Sequence, residues 1–183
     1  SVENMGVIAL GVGIGGLGVY GAMLHLLHHS LIKSSLFLST GNMYLGFDSK
    51  LIAHCGGMIR LLPKTFITFF AGFLGLSGLP PFGLFISELL IILAAFRMGH
   101  LTAGILFILG LSLVVIGLVR NVIALSFTPP AREQVLIPEE TPRILSPAIL
   151  LLTSITLCLW LPPPLLAAIN EAVLALLGGA FHG

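Results

Sequence analysis

Long apolar runs separated by short polar segments divide the chain. A membrane-spanning helix needs about 20 largely apolar residues, so the runs predict an integral membrane protein with about five to six membrane helices. The first run, residues 5–19, contains glycines at close intervals, which suit a helix packed tightly against its neighbours. It looks short, as if its start were missing, so we expect the sequence to be a fragment or the product of a split gene. The second run, residues 19–45, is apolar apart from three histidines, one lysine and small polar residues.

A break is predicted in the next apolar block, residues 66–96, which follows a polar loop over residues 46–64. The block is interrupted by a Pro-Pro pair between two glycines, Gly78 and Gly83. Proline lacks a backbone donor and clashes with the preceding helical turn, so the backbone near these residues should be non-helical. We interpret the block as two spans, 65–79 and 82–96, joined by a tight turn. A single long, broken helix is the alternative.

The remaining third of the chain predicts two more spans. Residues 101–127 form an apolar element, and residues 128–147, rich in proline and glutamate, indicate an aqueous loop. The last span, residues 144–161, ends near Trp160, a residue typical of the membrane interface. A final stretch, residues 165–177, is expected to be a short helix lying at that interface.

Composition supports an all-α membrane helix bundle and excludes several other classes. The 183 residues are 57% hydrophobic and 8% charged, whereas soluble domains carry about a quarter charged residues. A net charge of +1 without a basic tract argues against nucleic-acid binding. Cys55 and Cys158 form no metal or haem-attachment motif, so we expect no cofactor and no metal in this chain.

Three ionisable residues recur every four positions in the second run: His25, His29 and Lys33. On a helix, this spacing places them in one slanting stripe about 12 Å long. Charged groups at membrane depth are costly and face a bundle interior or water. Histidine gains and loses protons near neutrality, and burial disfavours the charged form of lysine, so such a row suits stepwise proton transfer. The alternative is that these side chains only bond neighbouring helices together. His28 lies 100° from His29 and need not join the row.

Glu88 is the second candidate, about two helical turns beyond the Pro-Pro pair. Its flanks are apolar on both sides, which favours a position inside the membrane rather than at a solvated helix end. A broken helix nearby would supply free backbone groups and room for water. We therefore expect Glu88 to point toward the same interior as the histidine stripe.

Three sequence landmarks together resemble one membrane-protein family. The segment from His25 to Asn42 is similar to the H-x3-H-x3-K-x2-LFL-x2-G signature of antiporter-like subunits. Gly-Gly-Met-Ile-Arg60 with Pro63, and Ser-Gly-Leu-Pro-Pro-Phe82 with Ser-Glu88, resemble the family's next two landmarks. Members occur in respiratory complex I, in multisubunit sodium/proton antiporters and in membrane-bound hydrogenases. The opening Ser-Val-Glu-Asn-Met-Gly6 is most similar to the hydrogenase 4 and formate hydrogenlyase branch.

The resemblance implies an organisation for this chain. It covers only the later half of a family member: residues 1–127 would be a second half-channel repeat, 128–147 a polar loop, and 148–183 the last membrane helix with an interfacial tail. It also implies that Lys33 is the central relay lysine, with His25 and His29 beside it and Glu88 as the ionisable residue of the broken helix.

The implied function is proton translocation within a larger membrane complex of the complex I or hydrogenase type. The partners would be other membrane subunits, lipid, protons and possibly sodium, in the inner membrane of a prokaryotic cell. This chain alone would catalyse no redox reaction. Two alternatives stay open: a subunit of a sodium/proton antiporter without a redox partner, and a structural membrane anchor.

Overall fold

The computed structural model describes residues 2–49, 51, 54–127, 129 and 139–179. Within these ranges the chain is all-α, as the sequence predicted, and has eight helices and no strand. The helices are α1 (Val2–Ile14), α2 (Leu17–Phe47), α3 (Met58–Leu61), α4 (Pro63–Leu76), α5 (Gly83–Arg97), α6 (Leu101–Phe127), α7 (Thr141–Leu159) and α8 (Pro163–Gly179).

The long helix α2 is the centre of the bundle and contacts α1, α4, α5, α7 and α8. Its 31 residues make it about 46 Å long. Gly15 and Gly16 both have positive φ and reverse the chain between α1 and α2. The two helices then approach so closely that a Cβ on Gly11 would lie 2.7 Å from the backbone oxygen of Gly18. Gly11 and Gly18 are therefore required by this close packing, whereas a Cβ on Gly6 or Gly13 would meet nothing within 4 Å.

Helices α4 and α5 form one broken span that runs antiparallel to α2. Their 14 and 15 residues would each cover only about 21–23 Å, too little to cross a bilayer alone. Neighbouring pairs follow in order along α2: Ser39 and Thr68, Ile32 and Gly75, His28 and Gly83, His25 and Ser87. The alternative of a single broken helix therefore describes this block, and the interpretation as two separate spans is wrong.

The predicted non-helical break is confirmed over residues 77–82, between the end of α4 and the start of α5. The peptide bond between the two prolines is cis. Gly83 is already the first residue of α5, so the break ends one residue earlier than expected.

Two helices, α6 and α7, are each long and apolar enough to span a membrane on their own. Most of α6 is exposed, and it contacts only α3 and α5 extensively among the described helices.

α7 begins three residues before the predicted span and packs against α2 and α4. Half of the predicted loop 128–147, namely residues 128 and 130–138, lies outside the described residues. Just before α7, Glu139 accepts hydrogen bonds from the backbone N–H groups of Lys64 and Thr65, at the start of α4.

Candidate functional site

A buried hydrogen-bond cluster centred on His25 joins three helices. The His25 ring on α2 lies with Nδ1 2.9 Å from Ser87 Oγ on α5 and Nε2 3.0 Å from Asn4 Oδ1 on α1. All three side chains are at least 96% buried. Both ring nitrogens are therefore bonded in a place where an unbonded polar atom would be costly.

The cluster continues beyond Asn4 and Ser87. Asn4 Nδ2 donates to Glu3 Oε2 at 2.6 Å, and Ser87 Oγ lies 2.8 Å from the backbone oxygen of Leu84. The continuous order is thus Glu3, Asn4, His25, Ser87 and Leu84. Sequence reasoning did not select Glu3, Asn4 or Ser87. The positions of these residues within their own helices give no indication that they lie near His25.

The side chains of the stripe along α2 become less buried from His25 to Lys33. The rings of His25 and His29 stack with centroids 6.0 Å apart and planes 11° apart. His29 is buried, and within the described part of the chain its Nδ1 has no hydrogen-bond partner. Lys33, one turn further, is only half-buried, and its Nζ lies 4.9 Å from the ring centroid of the exposed Phe37.

Glu88 is buried on α5 but faces a different neighbour from the one expected. Its carboxylate lies against Gly78, where a Cβ would overlap it, and Gly78 also has a φ of +65°. The neighbouring Ser87, not Glu88, bonds to His25. Glu88 lines a cleft of about 450 Å³ between the turn, α5 and α6, together with Ser77 and Ser112.

His28 contacts the other side of the break. Its ring is buried, with Nδ1 3.1 Å from Ser154 Oγ on α7, and it packs so closely on Gly83 that a Cβ there would overlap it. Gly78 within the break and Gly83 at the start of α5 therefore each accommodate a polar side chain, Glu88 at Gly78 and His28 at Gly83. The break makes room for these side chains.

Among the residues that the structure describes, no group of three or more histidine, cysteine, aspartate or glutamate side chains could hold a metal ion. Cys55 is buried near Met58 and Leu62, and Cys158 lies on α7. What the site can do is exchange protons among imidazole, hydroxyl, carboxyl and amine groups.

Comparison with known proteins decides the family. Residues 1–117 match the family described as "NADH:quinone oxidoreductase/Mrp antiporter, TM". The chain belongs to this family. The matched residues contain α1 to α5, hence the whole His25 cluster, Lys33 and Glu88, and the chain is an integral membrane helix bundle.

Relatives of this family member include subunits of several membrane complexes. The chain is 34% identical over 131 residues to the hydrogenase-4 component F homolog of Methylacidiphilum infernorum, covering 71% of this chain and 27% of the relative. It is 32% identical over 122 residues to formate hydrogenlyase subunit 3 of Escherichia coli, covering 60% and 20%. The chain thus matches only about a quarter of the length of these relatives or less.

Solved structures show that the fold is shared. A chain of the Mrp complex from Dietzia sp. superimposes with a TM-score of 0.79 at 21% identity, over 95% of this chain and 41% of that one. Respiratory complex I from Thermus thermophilus gives a TM-score of 0.51 at 16% identity, over 86% and 42%. At these identities the likeness concerns the helix arrangement alone.

Proposed function

We propose that this chain relays protons across a membrane as part of a multisubunit oxidoreductase of the NADH:quinone or hydrogenase type. The relatives named as a hydrogenase-4 component and a formate hydrogenlyase subunit support such a complex, with other membrane subunits as partners. In this proposal residues 1–127 form one half-channel unit, residues 148–183 supply the last membrane helix and tail, and the complex resides in a prokaryotic inner membrane. His25, His29, Lys33 and Glu88 carry the protons.

The observation that carries the proposal is the buried, fully hydrogen-bonded His25 between α1 and α5. An ionisable side chain inside a membrane bundle is expensive and is usually functional. Helix packing alone needs no imidazole at this point, because apolar side chains would fill the same space without a desolvation cost. The stacked His29 places a second exchangeable group next to it.

His29 has the property that a transfer site needs. Because its Nδ1 makes no hydrogen bond to the described residues, it can take or release a proton without first breaking one. Lys33 follows on the next turn, at the edge of the packed region. The stripe thus runs from the bundle interior toward a surface.

Glu88 is proposed to act at another end of the proton route, away from the stripe on α2. It is buried against the break and opens on the cleft beside α6, where Ser77 and Ser112 supply further polar groups. A carboxyl group in such a cleft can exchange protons with water that enters from the break.

The test is proton flux into vesicles that contain the assembled complex. Lys33→Ala should reduce flux to the background of vesicles without the complex, whereas Lys64→Ala, which removes an exposed lysine at the start of α4, should leave flux unchanged. Normal flux in an assembled Lys33→Ala complex would instead support a structural anchor.

Sodium dependence separates the remaining alternative. The proposal expects flux driven by electron donors to persist when sodium is replaced by choline. Flux that requires sodium and proceeds without any electron donor would assign the chain to a sodium/proton antiporter.

A further inference from the structure

The hydrogen bonds around His25 determine which of its two ring nitrogens carries the proton in the neutral state. From them we infer that Glu3 and Asn4 are positioning residues that hold neutral His25 as the Nε2–H tautomer, so that Nδ1, facing Ser87, is where the relay proton binds. This inference rests on the proposed function for its meaning in transport, but the tautomer itself can be measured without transport.

The first step concerns the orientation of the Asn4 amide. In the inferred arrangement Glu3 is ionised and only accepts hydrogen bonds, so its Oε2, 2.6 Å away, faces the NH2 group of Asn4. The amide oxygen then points to the other side, where His25 Nε2 lies at 3.0 Å. Because that oxygen can only accept, Nε2 must carry a hydrogen.

The second step concerns Ser87. With the single ring proton of neutral His25 on Nε2, Nδ1 is an acceptor, and the Ser87 hydroxyl donates to it over 2.9 Å. In the imidazolium, Nδ1 also carries a hydrogen, and this N–H donates to Ser87 Oγ over the same 2.9 Å. The hydroxyl hydrogen of Ser87 then points to the backbone oxygen of Leu84 at 2.8 Å instead of to Nδ1, so the serine donates one hydrogen bond in either state.

Both charge states of His25 are therefore satisfied by the same heavy-atom positions. Only the hydroxyl hydrogen of Ser87 changes direction between them. A site that keeps all its hydrogen bonds in both states avoids the cost of leaving a buried donor or acceptor unpaired. His25 can therefore change its charge without a movement of the heavy atoms around it.

The experiment is 15N NMR of histidine-labelled protein in the assembled complex in lipid, because the nitrogen shifts distinguish the two neutral tautomers from the imidazolium. The His25 signals are assigned by their loss in His25→Gln. We expect neutral His25 to be Nε2–H in the wild type. In Asn4→Leu the Nε2–H would face an apolar group, while Nδ1–H could still donate to Ser87. The major neutral tautomer should therefore change to Nδ1–H.

Two variants control for a merely structural effect. Asn4→Asp keeps an oxygen that accepts a hydrogen bond from Nε2–H, so it should retain the Nε2–H tautomer. The His28 ring bonds to Ser154 and not to this cluster, so the His28 signals should not move in Asn4→Leu or Asn4→Asp. In Glu3→Gln either end of the new amide can face Asn4, so a second His25 tautomer should appear. A neutral wild-type His25 protonated on Nδ1, or an Nε2–H tautomer that persists in Asn4→Leu, would overturn the inference.

Flux separates this inference from the proposed function. Ser87→Ala should keep the Nε2–H tautomer but reduce proton flux, because protonated Nδ1 loses its acceptor. The control is Ser146→Ala on α7, which removes an exposed hydroxyl bonded to its own helix and should not change flux. Unchanged flux in Ser87→Ala, with the predicted tautomers in the Asn4 variants, would contradict the role of Nδ1 in transport and leave the tautomer assignment standing.

Discussion

The two ends of the stripe on α2 differ in how completely the protein surrounds them. At His25, α1 and α5 each supply a hydrogen-bond partner, and the ring is fully buried. At Lys33, the described residues supply the ring of Phe37, which is itself 67% exposed. The difference teaches that one helix carries both a histidine held by hydrogen bonds to two neighbouring helices and a partly exposed lysine whose described contact lies on its own helix.

The largest effect on stability is expected from His25→Leu. Asn4 Oδ1 would lose its partner in a buried position, which costs about 1–3 kcal/mol. Thermal unfolding of the purified complex should show this loss, and His100→Leu, at an exposed site, should show none. Equal stability of the two variants would mean that the His25 cluster does not hold α1 and α5 to α2.

A smaller loss is expected from Gly78→Ala at the break. A residue with a side chain at this positive φ costs about 1–2 kcal/mol, and its Cβ would displace the Glu88 carboxylate. Gly110→Ala on α6 is the matched control, because its Cβ would meet nothing within 4 Å. The comparison would fail if both alanine variants unfolded at the wild-type temperature.

Lys33→Ala should change the free energy of unfolding by less than about 1 kcal/mol, since its described interaction is a cation–π contact at a partly exposed site. Proton flux should nevertheless be lost. Denaturation measured beside flux therefore separates a transport residue from a packing residue. A Lys33→Ala protein that unfolds as easily as His25→Leu would place both ends of the stripe in the same structural role.

The smallest effect is expected from Phe37→Leu. It removes the ring near Lys33 Nζ, worth about 0.5–1 kcal/mol at an exposed site, and keeps an apolar side chain. Flux should stay near the wild-type level, because the lysine remains able to exchange its proton. Flux as low as in Lys33→Ala would show that Phe37 is required to hold the lysine in place.

The sequence predicted features that depend on local spacing and missed those that depend on how helices meet. Four-residue spacing predicted that His25 and His29 share a face, because helix geometry is local. The Pro-Pro pair predicted the break for the same reason. The partners of His25 come from residues 21 and 62 positions away, and only the register between α1, α2 and α5 selects Asn4 and Ser87.

The neighbour of Glu88 was missed for a related reason. Adjacent residues on a helix differ by about 100° in direction, so Ser87 and Glu88 cannot both face α2. Which one does so depends on the rotation of α5 about its axis. Packing of Gly83 on His28 is consistent with the observed rotation, with Ser87 toward α2 and Glu88 toward Gly78. Neither contact has a signal in the sequence of α5 alone.

The most direct test of the proposed relay is the flux of the assembled complex carrying Lys33→Arg. Arginine keeps a positive charge at this position but does not readily lose its proton. If Lys33 exchanges protons, the variant should assemble, unfold at the wild-type temperature and carry no proton flux. Normal flux in Lys33→Arg would mean that a fixed cation is sufficient, and it would remove Lys33 from the relay.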